Sequence, residues 1–518
     1  MPRSPSNERK VSIVFVDDDP LVDSSPPGKT ESPKKGQAPF EPPALSPTHR
    51  LASLDAYRGF VMLAMASGAL GFATIVNQHG TPPAPAALAA EGTDPSWWST
   101  LWTALAYQFE HVQWVGCSFW DLIQPSFMFI VGAAMPFSFA KRASQGQSPL
   151  RRFAHVVFRA LILVALGVFL LSNGSRYTHT NFTFINVLSQ IGLGYVFVYL
   201  LLNRPAWLQA TAAAVILVGY WLAFFLYVAP PAEQAHVAKY LAEHEAKVAR
   251  GQRDIGPWEA DSLAGRWNKH TNFAAAADRW LLNQLPRQEE PWSPDGKPEN
   301  ARRFWVNEGG YQTLNFIPSM ATMLFGVMAG QLLLSGRRRK VMILLAAGAA
   351  CFVVAMSLDT TIWPVKWDGS SLVLCASGLG DPSINAAELW PNWTVCPTVK
   401  RIWTPTWAIF SAGWTLWLLA AFYLVMDVWG WKWWAFPLKV VGMNSIAMYV
   451  MAQLMKPWVS QTLRTHTGTV SAVAETDLWS SIFGAGTVYS PLWHSLAVLT
   501  VLWLICLWMY RQRIFVRI

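Results

Sequence analysis

The chain predicts an all-α fold, a polytopic membrane bundle of about ten transmembrane helices with both termini cytoplasmic. Three observations carry that reading. Of 518 residues, 53% are hydrophobic and only 14% charged, against about 25% charged in soluble domains. Apolar runs such as Phe60–Ile75, Val156–Leu171 and Leu492–Met509 approach the ~17–25 residues that cross a bilayer core. Basic residues collect in alternate connections, as the positive-inside rule requires of cytoplasmic loops.

In chain order, residues 1–50 are rich in Pro, Ser and charge and read as a disordered cytoplasmic tail. Val11–Val16 is too short for a signal-peptide core and runs into Asp17-Asp18-Asp19. Ten apolar spans follow, at 56–77, 119–140, 155–172, 183–203, 206–228, 313–334, 341–358, 404–427, 435–456 and 491–510. Lys141, Arg142, Arg151 and Arg152 follow the second span, Arg204 the fourth, and Arg337, Arg338, Arg339 and Lys340 the sixth. Lys432 follows the eighth, and Arg511, Arg513 and Arg517 the tenth. That parity keeps both ends of the chain on one side.

Loops 78–118, 229–312, 359–403 and 457–490 then face outward. In the second of these, His236–Arg250 looks helical, and Ala274–Leu285 has an amphipathic pattern suited to a membrane surface. Most of the 29 Trp flank spans as an aromatic belt, but Trp97, Trp98, Trp114, Trp390, Trp393 and Trp403 fall in outward loops. Cys375 and Cys396 share one such loop, where a disulfide and two free thiols are both open.

The net charge of +9 does not indicate nucleic acid, because residues 1–50 carry seven basic and seven acidic groups and the excess lies in the membrane part. No Cys/His cluster has zinc spacing, so no metal is expected. There is no internal repeat and no inverted pair of broken spans, features that a transporter often shows.

Several residues could carry chemistry. His111, in Phe109-Glu110-His111-Val112-Gln113-Trp114, stands where a hydrophobic span opens, and imidazole exchanges a proton near neutral pH. Asp121, just inside that span, either caps the helix or orients a neighbouring imidazole. Asp55 and Arg58 share one helix face at the cytoplasmic entrance, as a local ion pair or as a phosphate-facing group. Asn444, beside Gly442 and Ser445, suits an interhelical hydrogen bond. Lys400 and Arg401 are cations in an outward loop, against the usual charge bias. Asn186, Gln190, Gln312, Asn315 and His494 are further polar groups near span ends.

Five of these segments, in order, resemble the heparan-alpha-glucosaminide N-acetyltransferase family and its bacterial relatives. They are Ser53-Leu54-Asp55-Ala56-Tyr57-Arg58-Gly59, His111-x-x-Trp114-x-Gly116, Asp121-Leu122-Ile123-Gln124-Pro125, Lys400-Arg401-Ile402-Trp403-Thr404 and Gly442-Met443-Asn444-Ser445-Ile446. The resemblance implies that residues 51–518 form a transmembrane acyltransferase domain in a bacterial inner membrane. It implies cytoplasmic acetyl-CoA as donor, an extracytoplasmic amino sugar or glycan as acceptor, and His111 as general base or acetyl carrier. Asp55, Arg58 and Asn444 would lie on the cofactor side; Trp114, Asp121, Lys400 and Trp403 on the acceptor side. The other expected partners are the lipid bilayer and, as a candidate assembly, a homodimer. Ala69 stands where the family enzyme that acts on heparan has an asparagine, and residues 364–397 look like an insertion relative to the family, so the resemblance does not extend to heparan as the expected acceptor. Two other readings stay open at this point: a transporter or flippase for glycan or lipid intermediates, and an O-acyltransferase of periplasmic glycan.

Overall fold

The sequence folds where its apolar runs dictate. A computed structural model describes residues 51–82, 96–173, 178–244, 258–259, 262–359, 362, 365–367, 372–374, 395–474 and 488–516. The expected disordered tail lies outside them. Each of the ten expected spans is helical. Among the described residues eight helices are long and apolar enough to cross a membrane, Val187–Leu201 is a shorter apolar helix, and Trp433–Met443 with Ser445–Leu454 makes a pair bent by 70°.

The helices are α1 Ala52–Ser67, α2 Phe72–His79, α3 Ser96–Gln108, α4 Ile123–Ser144, α5 Pro149–Leu171, α6 Val187–Leu201, α7 Ala206–Leu226, α8 Pro231–Glu243 and α9 Phe273–Leu282. After these come α10 Phe316–Leu334, α11 Lys340–Leu358, α12 Pro405–Tyr423, α13 Phe436–Met443, α14 Ser445–Leu454, α15 Lys456–Ala474 and α16 Ser490–Arg511. A two-stranded antiparallel hairpin, Val365–Trp367 with Leu372–Leu374, falls inside the expected insertion.

Close backbone approach holds the centre of the bundle together. α1 crosses α13 where Gly59 faces the Leu438 carbonyl and Gly442 faces the Asp55 carbonyl, so a methyl at either glycine would overlap backbone. α4 meets α10 through Gly132, Gly326 and Gly330 in the same way. Without a strong hydrophobic drive between helices in lipid, small residues at the seam are what allow such packing. Met128, Phe129, Met323 and Leu324 fill the same interface and are fully buried.

α1 and α2 form one span interrupted at Gly68, Ala69, Leu70 and Gly71, all four left-handed (φ 60°, 63°, 53° and 76°). Ala69 and Leu70 bear that conformation at a steric cost that glycine avoids. Helix α8 matches the expected helical stretch in part, since residues 245–257 lie outside the described set. Helix α9 covers most of the expected amphipathic stretch; its buried side carries Asp278 and Arg279 along with Ala274, Ala275 and Leu282, and Trp280 is exposed on the other side. Arg279 pairs with Glu233 of α8 and donates to the His270 carbonyl at 2.8 Å, so α9 is packed into the loop-rich end of the bundle.

Candidate active site

At that loop-rich end the segment from Phe109 to Leu122 doubles back on itself. The Gln108 side chain closes the turn by accepting from the Phe119 amide (2.8 Å). Gly116, at φ 111°, turns the chain so that its amide donates to the Thr398 carbonyl (3.0 Å). Val115 pairs with Val399 in an antiparallel bridge alongside. Two segments nearly 290 residues apart in sequence, around His111 and Lys400, are thereby fixed side by side.

Asp121 is the hub. It sits in the 3-10 turn that opens α4, is only 1% exposed, and its carboxylate collects donors from three directions. His111 Nδ1 lies 2.7 Å and Lys400 Nζ 3.1 Å from Oδ1, while the amides of Val112 and Ser118 each donate to Oδ2 at 3.2 Å. The Ser118 hydroxyl stands between the Glu110 carbonyl (2.6 Å) and Oδ2 (3.0 Å). An ionised carboxylate can only accept. The 2.7 Å contact therefore needs its proton on Nδ1, which leaves the Nε2 lone pair for chemistry; that tautomer follows from the hydrogen-bond partners.

His111 is not sealed in: its side chain is 41% exposed. Burial of the ring, then the Lys400 cation, lower its pKa below the ordinary 6.5; the hydrogen bond and charge of Asp121 pull the other way, and Arg401 adds to the depression. The imidazole therefore rests neutral at pH 7, the form that can take a proton. Arg401 braces the surroundings, donating to the Gly309 carbonyl (2.7 Å) and the Val112 carbonyl (3.4 Å) with its guanidinium over the Tyr311 ring (5.6 Å).

His111 and Lys400 open onto a cavity of about 320 Å³. Trp120 and Tyr311 stand on its walls, and the Trp120 ring centre is 6.5 Å from that of His111. Gln124, Asn186 and Gln453 supply amides, and Met62, Met65 and Phe127 continue it into the bundle. Gln124 donates to Gln190 (3.3 Å), and Tyr449 donates to Asn186 (3.2 Å).

The structure brings His111, Asp121 and Lys400 into direct contact, with Arg401 beside them and Asn186 on the same cavity, and places the other candidates elsewhere. His111, Asp121 and Lys400 form one cluster, with Asp121 enclosed behind the imidazole. Trp114 is buried away from the cavity, donating to the Trp267 carbonyl (3.1 Å) beneath Lys269. Trp403 is 1% exposed, left-handed (φ 48°), and donates to Thr322 (3.3 Å). Asn444 sits at the α13–α14 bend with both ends of its amide engaged, donating to the Ile514 carbonyl and accepting from the Val516 amide, each at 3.0 Å. Asp55 and Arg58 pair at 3.4 Å near the start of α1, about 10 Å and about 6 Å along the helix from Met62 at ~1.5 Å per residue. Cys396 is a buried free thiol, and Cys375 lies outside the described residues.

The aromatic walls were missed. Trp120 and Gln124 flank or belong to the Asp121 segment and could have been found by their place one turn into the span. Tyr311, Tyr449 and Gln453 carry no local signal, because only the fold brings them to His111.

The fold and the site define a polytopic helical membrane protein with a histidine-centred cavity at its loop-rich end. A family model for heparan-alpha-glucosaminide N-acetyltransferase, catalytic, matches residues 99–245, the stretch that holds His111 and Asp121. The human heparan-alpha-glucosaminide N-acetyltransferase is 23% identical over 374 residues, covering 66% of this chain and 48% of the relative. The mouse protein of the same name is 22% identical over 379 residues, covering 68% and 50%. The chain thus spans about half the length of the curated relatives it matches. These matches make the chain similar to the heparan-alpha-glucosaminide N-acetyltransferases, the family its five motif segments resemble.

Proposed function

We propose that this chain moves an acetyl group from cytoplasmic acetyl-CoA to an amino sugar or glycan on the extracytoplasmic face of a bacterial inner membrane. One observation carries the reading: an imidazole anchored through Nδ1 on a buried carboxylate, in a residue that lines a cavity shared with Met62, Met65 and Phe127 of the membrane-spanning bundle. The donor supplies an activated thioester, and the chain supplies position and proton transfer.

The cavity residues suit those two partners. The Met62, Met65 and Phe127 surface fits the slender thioester arm, and the amides of Gln453 and Asn186 match its amide groups. Trp120 and Tyr311 offer flat apolar faces for a sugar ring, and Gln124 offers hydrogen bonds to its hydroxyls. His111 Nε2 takes the proton from the acceptor amine or hydroxyl as the acceptor's lone pair forms a bond to the thioester carbonyl carbon. The carbon–sulfur bond then breaks and the electron pair leaves on sulfur, to which the imidazolium returns the proton. Asp121 holds the ring in register throughout.

Sealed proteoliposomes with labelled acetyl-CoA outside and a panel of amino sugars inside test this directly. Label should reach a sugar in the lumen with the wild-type chain and should not with His111→Ala, while that variant stays folded in the membrane. Wild-type transfer by His111→Ala would remove the site assignment. Sugar translocated with the thioester intact would replace the reaction with transport.

A further inference from the structure

A histidine held by a buried carboxylate normally becomes more basic, because the carboxylate favours the imidazolium. Here the carboxylate is shared. Lys400 Nζ is 3.1 Å from the same Asp121 oxygen that His111 contacts, and 3.2 Å from His111 Nδ1 itself. Lys400 is 3% exposed and comes from the turn before α12, whereas Asp121 comes from the turn before α4. The tertiary fold therefore inserts a cation into the pair at the point where the pair would gain charge.

We propose that Lys400 is a positioning residue that neutralises Asp121, so that the carboxylate orients the His111 imidazole through Nδ1 without charging it. Three consequences follow from the geometry. Nδ1 carries the proton, since the shorter contact is to the carboxylate and the ammonium directs its own protons to Asp121. The lone pair stays on Nε2, the nitrogen not engaged by Asp121. The ring is a neutral base before the acceptor arrives, and the imidazolium formed during transfer is raised in energy by the neighbouring ammonium, which speeds return of the proton. The charged groups around the ring are Asp121 from the turn before α4, and Lys400 and Arg401 from the turn before α12. Tyr311 and Tyr449 face the same cavity from the α10 and α14 sides. Glu110, the preceding residue, is exposed.

Only the activity readout rests on the acetyl-transfer reading, so the decisive measurement does without substrate. In detergent-solubilised chain labelled with ¹⁵N-histidine, the His111 ring nitrogens are assigned by subtracting the spectrum of His111→Gln. Wild type should show a neutral ring protonated on Nδ1 at pH 7. Lys400→Gln should move the His111 titration midpoint to higher pH, and Lys400→Arg should hold it near the wild-type position. In proteoliposomes, Lys400→Gln should lose acetyl transfer several-fold at pH 6 and recover most of it at pH 8, which a purely structural defect would not do. A wild-type ring protonated on Nε2, or a midpoint unmoved in Lys400→Gln, overturns the proposal. Should Lys400→Gln fail to fold, the wild-type tautomer and the Lys400→Arg titration decide alone. Correct ring behaviour without any acetyl transfer would sink the acyltransferase reading and leave the role of Lys400 standing.

Discussion

Asp278 shows how a buried charge at the loop-rich end sets the conditions under which the chain is stable. Its carboxyl is 1% exposed, accepts the Thr313 amide at 2.9 Å, and is pushed up to about 6 mainly by burial, with hydrogen bonds from Thr313 and the charges of Arg279 and Arg287 opposing. A carboxyl whose folded pKa lies above its unfolded value binds its proton more tightly when folded. Its contribution to stability is thus complete below the unfolded value of 3.8 and is lost as pH rises through about 6. We expect thermal melts of the wild type in detergent to lose stability between about pH 4 and about pH 6.5. Asp278→Asn, which cannot ionise, should flatten that slope and melt higher than wild type at pH 7.5. A wild-type melt unchanged across this range would rule the account out. Asp121 is the opposite case: its four nitrogen donors favour the ionised form, so its burial is compensated and His111 gains a fixed orientation.

Helix seams decide whether the site is assembled at all. The α1–α13 crossing allows no side chain at Gly59 or Gly442, since each faces a carbonyl of the partner helix. α1 also carries Met62 and Met65 of the cavity, so any separation at the crossing moves a wall of the site. Gly442→Ala should lower stability by about 1–3 kcal/mol, the usual cost of overpacking, with a fall in melting temperature as the readout. Retention of wild-type melting would mean the crossing is looser than described. The α4–α10 seam has a local sequence signal that the expectations drawn from the sequence left out, since Gly326-Val327-Met328-Ala329-Gly330 has the small-residue spacing that brings helices together. The α1–α13 seam has no such signal, since its glycines lie on separate helices nearly four hundred residues apart.

At the scale of the whole molecule, the cavity and the tryptophans separate two roles that composition cannot. Trp120 lines the cavity beside His111, whereas Trp403 is packed in the core against Thr322. Trp120→Ala should raise the acceptor KM about tenfold, equivalent to roughly 1.4 kcal/mol, with little change in melting. Trp403→Ala should cost about 3–5 kcal/mol of stability, as large-to-small core changes do, while the folded fraction keeps the wild-type KM. The reverse pattern in steady-state kinetics and melts would return the acceptor face to Trp403. Asp55 and Arg58 pair near the start of α1.

Hydropathy by itself determined the ten helical segments and the loop-rich end, because burial of backbone polar groups in lipid leaves helices as the main solution for apolar runs of this length. It also singled out His111, Asp121 and Lys400, since ionisable groups at span ends are conspicuous in so apolar a chain. Only the tertiary structure decided that these three touch, that Trp114, Trp403 and Asn444 are buried and hydrogen-bonded away from them, and that Trp120, Tyr311 and Tyr449 line the cavity. Hydropathy is a local property that repeats along one helix, whereas contact between the turns before α4 and α12 depends on how separate helices pack. No window of sequence contains that information.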